Sequence, residues 1–211
     1  MNKRLVRIFM IALALLLFVS ACSTGDNGNG DVKDTLTVGM GGDAVSLDPH
    51  ATNDQPSSRV TKQIYDTLLV QTEELELEPG LATEWEQVDD LTFEFKLRED
   101  VKFTNGEALT ADDVKFTIER GKESANISHI VGAISSVEVV DEHTVRVSTS
   151  EPFGPLLTHL AHPAAAILNE KAVTEGGEDY GLNPVGTGPY KLVSWTTGDS
   201  ITLVENEDYW G

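Results

Sequence analysis

Residues 91–121, "LTFEFKLREDVKFTNGEALTADDVKFTIERG", hold two different periodicities within thirty-one residues. The first seven alternate, with Leu91, Phe93, Phe95 and Leu97 on one side and Thr92, Glu94 and Lys96 on the other. That period of two predicts a half-buried strand. Further on, Thr110 stands where a helix cap belongs. Asp112 and Asp113 follow in the first turn, facing the positive end of the helix dipole, and Gly121 stands at the expected stop. A strand followed so closely by a helix points to a mixed α/β chain rather than a bundle or an all-β sandwich.

Working outward, residues 135–149, "SSVEVVDEHTVRVST", read as two strands around an Asp-Glu-His turn. Residues 153–161, "FGPLLTHLA", read as a short helix, and residues 191–205 as a second hairpin turning at Gly198 and Asp199. Towards the N-terminus, Val60, Ile64 and Leu68 share helical spacing after a Pro-Ser-Ser start. Residues 35–40, "TLTVGM", read as a short strand before two glycines. No internal repeat interrupts this order.

The first twenty-two residues read differently. Lys3, Arg4 and Arg7 precede twelve unbroken apolar residues, 8–19, which are too short for a comfortable membrane span and fit a signal h-region. The run ends in "VSAC", with Ser20 and Ala21 before Cys22, the single cysteine of the chain. Small residues before a thiol predict cleavage and acylation at Cys22, which makes residues 1–21 a lipoprotein signal peptide. Residues 22–34, rich in Gly, Asn and Asp, bury too little to fold and read as a flexible tether. With one cysteine, lipid-linked, no disulfide forms within the chain. The body is therefore expected outside the cytoplasm, anchored at the cell surface or on the periplasmic face of a bacterial membrane.

The chain carries 15 Lys+Arg against 35 Asp+Glu, a net charge of -20. Such a surface repels phosphates, so nucleic acid is excluded as a partner, and docking on an anionic bilayer through the protein surface is disfavoured. Residues 183–190, "NPVGTGPY", are not a phosphate cradle. Gly188 is followed by Pro189 and Tyr190 where a P-loop needs Lys and Ser/Thr, and no helix opens there. The glycines instead suit a sharp turn or a close backbone approach. His159 and His162 stand three apart, but no third ligand is evident and Pro163 ends the helix, so no metal or cofactor is expected. No nucleophile has a base beside it, so the chain is not read as an enzyme.

Four stretches together resemble the family 5 extracellular solute-binding proteins, the peptide- and nickel-binding lipoproteins of ABC importers. They are "DAVSLDPH" (residues 43–50), residues 81–120, "LAHPAAAI" (160–167) and residues 184–211, ending in "NEDYWG". The resemblance implies an α/β periplasmic-binding-protein-like fold of type II, cluster C, with two lobes, here incomplete because such proteins continue beyond "DYWG". Residues 35–59 would begin lobe I, residues 60–182 would form the smaller extra domain, and residues 183–211 would return to lobe I.

In that scheme Gly186, Thr187, Gly188 and Pro189 lie at a hinge crossing. Asp43, Ala44 and Val45 would present backbone groups to an extended peptide, as in strand addition, and His162 would lie near the peptide. The partners of the peptide's charged ends would lie beyond Gly211. The implied function is capture of short peptides, di- or oligopeptides or a glutathione-like ligand, by a monomeric binding protein that delivers them to a permease. Alternatives are a nickel or nickel-chelate binder, a surface metal-dependent hydrolase, and a truncated remnant that binds nothing. The lipoprotein reading predicts that a palmitate-analogue label enters the wild-type protein in cells and is absent from Cys22→Ser. Equal labelling of the two would remove it.

Overall fold

The alternation at residues 91–97 does form a strand, and it lies inside a four-stranded sheet. The computed structural model describes residues 35–211, so the signal peptide, Cys22 and the tether lie outside the described residues. From the N-terminus the elements are helix α1 (Gln55–Ile64), the paired strands β1 (Leu69–Gln71) and β2 (Leu77–Pro79), β3 (Ala82–Asp89) and β4 (Thr92–Leu97). Then come helices α2 (Ala111–Glu123) and α3 (Ser128–Val131), strands β5 (Ile134–Asp141) and β6 (Thr144–Thr149), and helix α4 (Leu156–Leu160). A 3-10 turn at Pro163–Ala165, helix α5 (Glu170–Gly176), a second 3-10 turn at Gly177–Leu182, and the hairpin β7 (Tyr190–Thr196) and β8 (Ser200–Glu205) complete the chain.

The main sheet runs β3-β4-β6-β5, antiparallel throughout. Register aligns Trp85, Phe95, Val145 and Val139 across one face, and Phe93, Val147 and Val137 beside them. Helix α2 lies against this apolar face with a buried stripe of Val114, Thr117, Ile118 and Gly121. Phe95, Val145 and Val147 are fully buried, and each contributes on the order of 2 kcal/mol by leaving water. The opposite face carries Glu84, Glu86, Glu94, Lys96, Glu138 and Arg146, with Lys96 paired to Glu84 at 2.9 Å and Arg146 to Glu94 at 2.8 Å.

A second apolar cluster gathers Ala44, Leu47, Val60, Ile64, Tyr65, Ala166, Leu168, Val173 and Tyr180. Leu192, Trp195, Ile201 and Leu203, from one face of the β7–β8 hairpin, pack on it. Gly198 takes a φ of 78° at the hairpin turn, which only glycine adopts without strain.

Several sequence expectations shift. Helix α1 starts earlier, because the Asp54 carboxylate accepts Ser57 N at 2.9 Å and caps it. It ends at Ile64, where Tyr65 turns extended, so Leu68 is buried beyond the helix rather than on it. Gly121 does not stop α2, which continues to Glu123. Its missing side chain admits its neighbours instead: a Cβ there would lie 2.9 Å from Ile127 Cδ1 and 3.1 Å from Val131 Cγ2. Residues 35–40 form no strand, having no ladder partner among the described residues.

Asp113 does more than sit near a dipole. Its Oδ2 accepts Thr110 N and Thr110 Oγ1, both at 3.0 Å, at the start of α2. Its Oδ1 accepts Glu170 N at 3.0 Å at the start of α5. One carboxylate thus caps two helices, while Asp112 faces solvent. Removing it takes the acceptor from partly buried donors at both helix starts, so Asp113→Ala is expected to lower the unfolding free energy by about 2–4 kcal/mol, and Asp112→Ala by less than about 1 kcal/mol. Urea unfolding of the two variants checks this, and equal losses would contradict the double cap.

Candidate functional site

Residues 43–50 run across the second apolar cluster, and side chains from four directions fix them. At one end Asp43 Oδ2 accepts Gly198 N, at 2.6 Å, from the tip of the β7–β8 hairpin. Ser57 Oγ, on α1, accepts Val45 N at 2.8 Å and donates to Asp54 Oδ2 at 2.7 Å. Tyr65 Oη donates to Leu47 O at 3.0 Å. At the far end Asp48 takes both arms of the Arg120 guanidinium, Nη1 to Oδ1 at 3.0 Å and Nη2 to Oδ2 at 2.6 Å. Arg120 lies in the last turns of α2, so this fork ties the loop to the helix that covers the main sheet.

The expected site residues divide accordingly. Asp43 holds the hairpin tip through its carboxylate. Ala44 is buried, so only its backbone can face a ligand, whereas Val45 is 73 % exposed. Because Val45 N already donates to Ser57 Oγ, that amide is committed within the protein, which leaves the Val45 carbonyl as its backbone group for strand addition.

His162 is half-buried and caps the 3-10 turn, its Nδ1 accepting Ala164 N at 3.1 Å. Burial, then the nearby His159, His129 and Lys62, hold its pKa below the ordinary histidine value. His159 is engaged through Nδ1 with Ile130 O at 2.6 Å and packs edge-on to Phe153. Among the described residues no cluster of His, Cys, Asp and Glu has the geometry to hold a metal.

The glycines of residues 186–189 serve close approach. A Cβ on Gly186 or Gly188 would run into the Ile64 carbonyl at the end of α1, and Gly188 N donates to that same oxygen at 2.9 Å. Thr187, fully buried, donates to Asp66 Oδ2 at 2.9 Å, and Trp210 Nε1 donates to the same atom at 3.0 Å. Arg98 stacks over Trp210, 4.2 Å from the ring centroid. Burial raises the Asp66 pKa, while Trp210, Thr187 and Arg98 favour its charged form. The segment at residues 183–189 meets the loop through neighbouring tyrosines: Tyr180 Oη donates to Val185 O at 3.0 Å, beside Tyr65.

The concave features are modest. A crevice of about 10 Å³, room for one water, lies between the loop, α1 and the 3-10 turn, lined by Pro49, Thr52, Ser57, Ser58, Thr61, Pro163 and Ala164. A shallow depression of about 400 Å³ lies over Glu84, Trp85, Glu86, Glu94 and Lys96, away from every expected site residue.

Sequence reasoning missed Asp48, Arg120, Ser57, Tyr65 and Asp66. Asp48 and Arg120 both stand inside the motif stretches, but their pairing across 72 residues has no local signal.

The model for the bacterial extracellular solute-binding proteins, family 5 (middle) matches residues 76–211. The chain belongs to this family. The glutathione-binding protein GsiB of Escherichia coli O1:K1 is 34 % identical over 179 residues, covering 83 % of this chain and 35 % of GsiB. The binding protein MoaA of A. tumefaciens R10, solved with mannopinic acid, is 35 % identical with a TM-score of 0.74, covering 80 % of this chain and 36 % of MoaA. Listeria monocytogenes OppA, solved with peptide, is 29 % identical with a TM-score of 0.75, covering 81 % of this chain and 38 % of OppA.

The fold is thus the α/β fold of type II periplasmic binding proteins, of which this chain spans about a third of its relatives' length. These named relatives are binding proteins, not enzymes.

The close approach at residues 186–189 predicts that Gly188→Ala, whose Cβ would sit 2.7 Å from the Ile64 carbonyl carbon, destabilises the protein by about 2–4 kcal/mol. Gly154→Ala, with open space around it, should stay within about 0.5 kcal/mol. Thermal unfolding of both reads the difference, and a near-neutral Gly188→Ala would refute the contact.

Proposed function

We propose that this chain is part of the substrate-binding protein of an ABC importer that captures short peptides outside the cytoplasm. The protein would be held at the membrane through lipid on Cys22 and would hand its ligand to a permease. The observation that carries this reading is the pinned loop at residues 43–48, within a chain of this family. Its carbonyls and the exposed Val45 are held in place before any ligand arrives, which reduces the ordering cost of binding. Its backbone conformation depends on Ser57, Tyr65 and Arg120 rather than on the ligand. GsiB and the peptide-bound OppA favour a peptide or glutathione-like ligand over a nickel chelate.

His162 would line the peptide side of the cleft, and residues 186–189 would carry the crossing between lobes. The proposed domain division keeps residues 60–182 as the small extra domain, though Val60 lies within α1. Ligand capture needs charged groups converging from both sides of a cleft, because an unpaired buried ammonium or carboxylate costs several kcal/mol, against about 8 kcal/mol for micromolar affinity.

Calorimetric titration with a di- to pentapeptide library and with glutathione tests the reading. A protein of the relatives' full length beginning with this chain should bind at micromolar concentrations without turnover, and the 211-residue chain alone should bind far more weakly. Metal-dependent hydrolysis of a fluorogenic peptide, lost in His159→Ala or His162→Ala, would establish the hydrolase instead.

A further inference from the structure

His50 closes the pinned loop, and its surroundings are unusual for a histidine. The residue is 3 % exposed. Neither Nδ1 nor Nε2 has a hydrogen-bond partner among the described residues. A buried imidazole without partners is costly in its neutral form and far costlier when charged.

The charged groups that face it are Arg120 on α2 and Asp48 on its own segment. Asp48 makes no hydrogen bond to the ring: its two oxygens receive the Arg120 guanidinium, and its Oδ1 also accepts His50 N at 2.9 Å. The ring packs against α2 beside Gly121, where a Cβ would lie 3.5 Å from His50 Cε1. The backbone around the ring fastens the loop to the same helix end: Ser124 Oγ donates to His50 O at 2.7 Å, and Asn126 Nδ2 donates to Ala51 O at 2.7 Å.

We propose that His50 is a proton-operated latch on the loop at residues 43–50. Neutral, the ring seals the loop against α2. Protonated, it would add a second cation beside Arg120 with neither N–H hydrogen-bonded where the ring sits, so the charged ring is driven out to water. Because Asp48, His50 and Ala51 are fastened on either side of the ring, its departure undoes the hydrogen bonds that hold the loop to the helix. The latch deepens the binding reading by placing control of the ligand-facing loop in the protonation of one residue. The unlatching itself needs no ligand.

The direction in pH follows from linkage. Burial first, and Arg120 next, lower the His50 pKa from 6.5 to about 4, against the opposing pull of Asp48. The closed loop binds fewer protons than the open one, so the latch is fully closed above the ordinary histidine pKa and weakens as pH falls towards 4. Between pH 7.5 and pH 5 the population of the open loop should rise about thirtyfold.

Amide hydrogen exchange on the 211-residue chain, corrected for intrinsic rates, tests this at those two pH values. The amides of His50 and Ala51 should lose about thirtyfold in protection at pH 5, while those of Phe95 and Val147 in the main sheet keep theirs. His50→Phe, which fills a similar space without a charge, should abolish the pH dependence at the loop. The ring of His50 in the wild-type protein, followed by NMR, should titrate far below the ordinary histidine value of 6.5. The latch is overturned by a His50 ring that titrates near 6.5, by an equal loss of protection in loop and sheet, or by the same loop loss in a folded His50→Phe. If His50→Phe does not fold, the wild-type ring titration and the loop-to-sheet comparison decide alone.

Discussion

The fork between Asp48 and Arg120 joins parts of the chain that lie 72 residues apart in sequence. A bidentate carboxylate–guanidinium pair is directional, and this one is largely shielded, with Asp48 8 % and Arg120 27 % exposed at the side chain. In such a setting the pair's geometry matters more than its net energy, because desolvation offsets much of the attraction. What it secures is placement. The loop at residues 43–50 belongs to the second apolar cluster, whereas Arg120 belongs to the helix covering the main sheet. With the fork closed, the loop, α1 and α2 share one arrangement.

The segment at residues 183–189 packs against the end of the same helix α1. Gly186 and Gly188 can lie against the end of α1 only because Ile64 ends that helix and turns its carbonyl outward. Asp66, two residues on, then receives Thr187 and Trp210 together. The region combines backbone close approach with a carboxylate that accepts from two segments. Thr104 N, donating to Gly186 O at 2.9 Å, adds a tie from the loop after β4. The sheet's outer face plays another part. Its alternating acidic and basic residues keep the broad surface solvated and its β3 edge charged, which discourages edge-to-edge pairing.

Where periodicity carried the information, the fold was legible in the sequence. The strand at Thr92–Leu97, the β5–β6 and β7–β8 hairpins and the helix from Ala111 each follow from a period of two or a cap followed by a helical stripe. The errors share a cause. Gly121 reads as a stop because a local rule says so, yet its role is set by Ile127 and Val131 across a helix packing contact. Leu68 has helical spacing, but Tyr65 had already turned the chain.

The site was less legible. Family motifs flagged the stretches that hold Asp48, Arg120 and Gly188, yet not what they do, because a carboxylate's partner 72 residues away leaves no mark on either segment. Val45 is the clearest case. Its place in a candidate ligand loop was visible, but the commitment of its amide to Ser57 Oγ is a tertiary fact.

The central claim is that the loop held by Asp48, Ser57 and Tyr65 is a ligand-facing surface of a solute-binding protein. A crystal structure of a protein of the relatives' full length beginning with this chain, with bound peptide, tests it most directly. The account predicts peptide density within hydrogen-bond distance of a carbonyl oxygen of Asp43, Ala44 or Val45, with the Asp48–Arg120 fork intact. Peptide seated elsewhere, for instance over the Glu84–Lys96 depression, with the loop untouched, would contradict it.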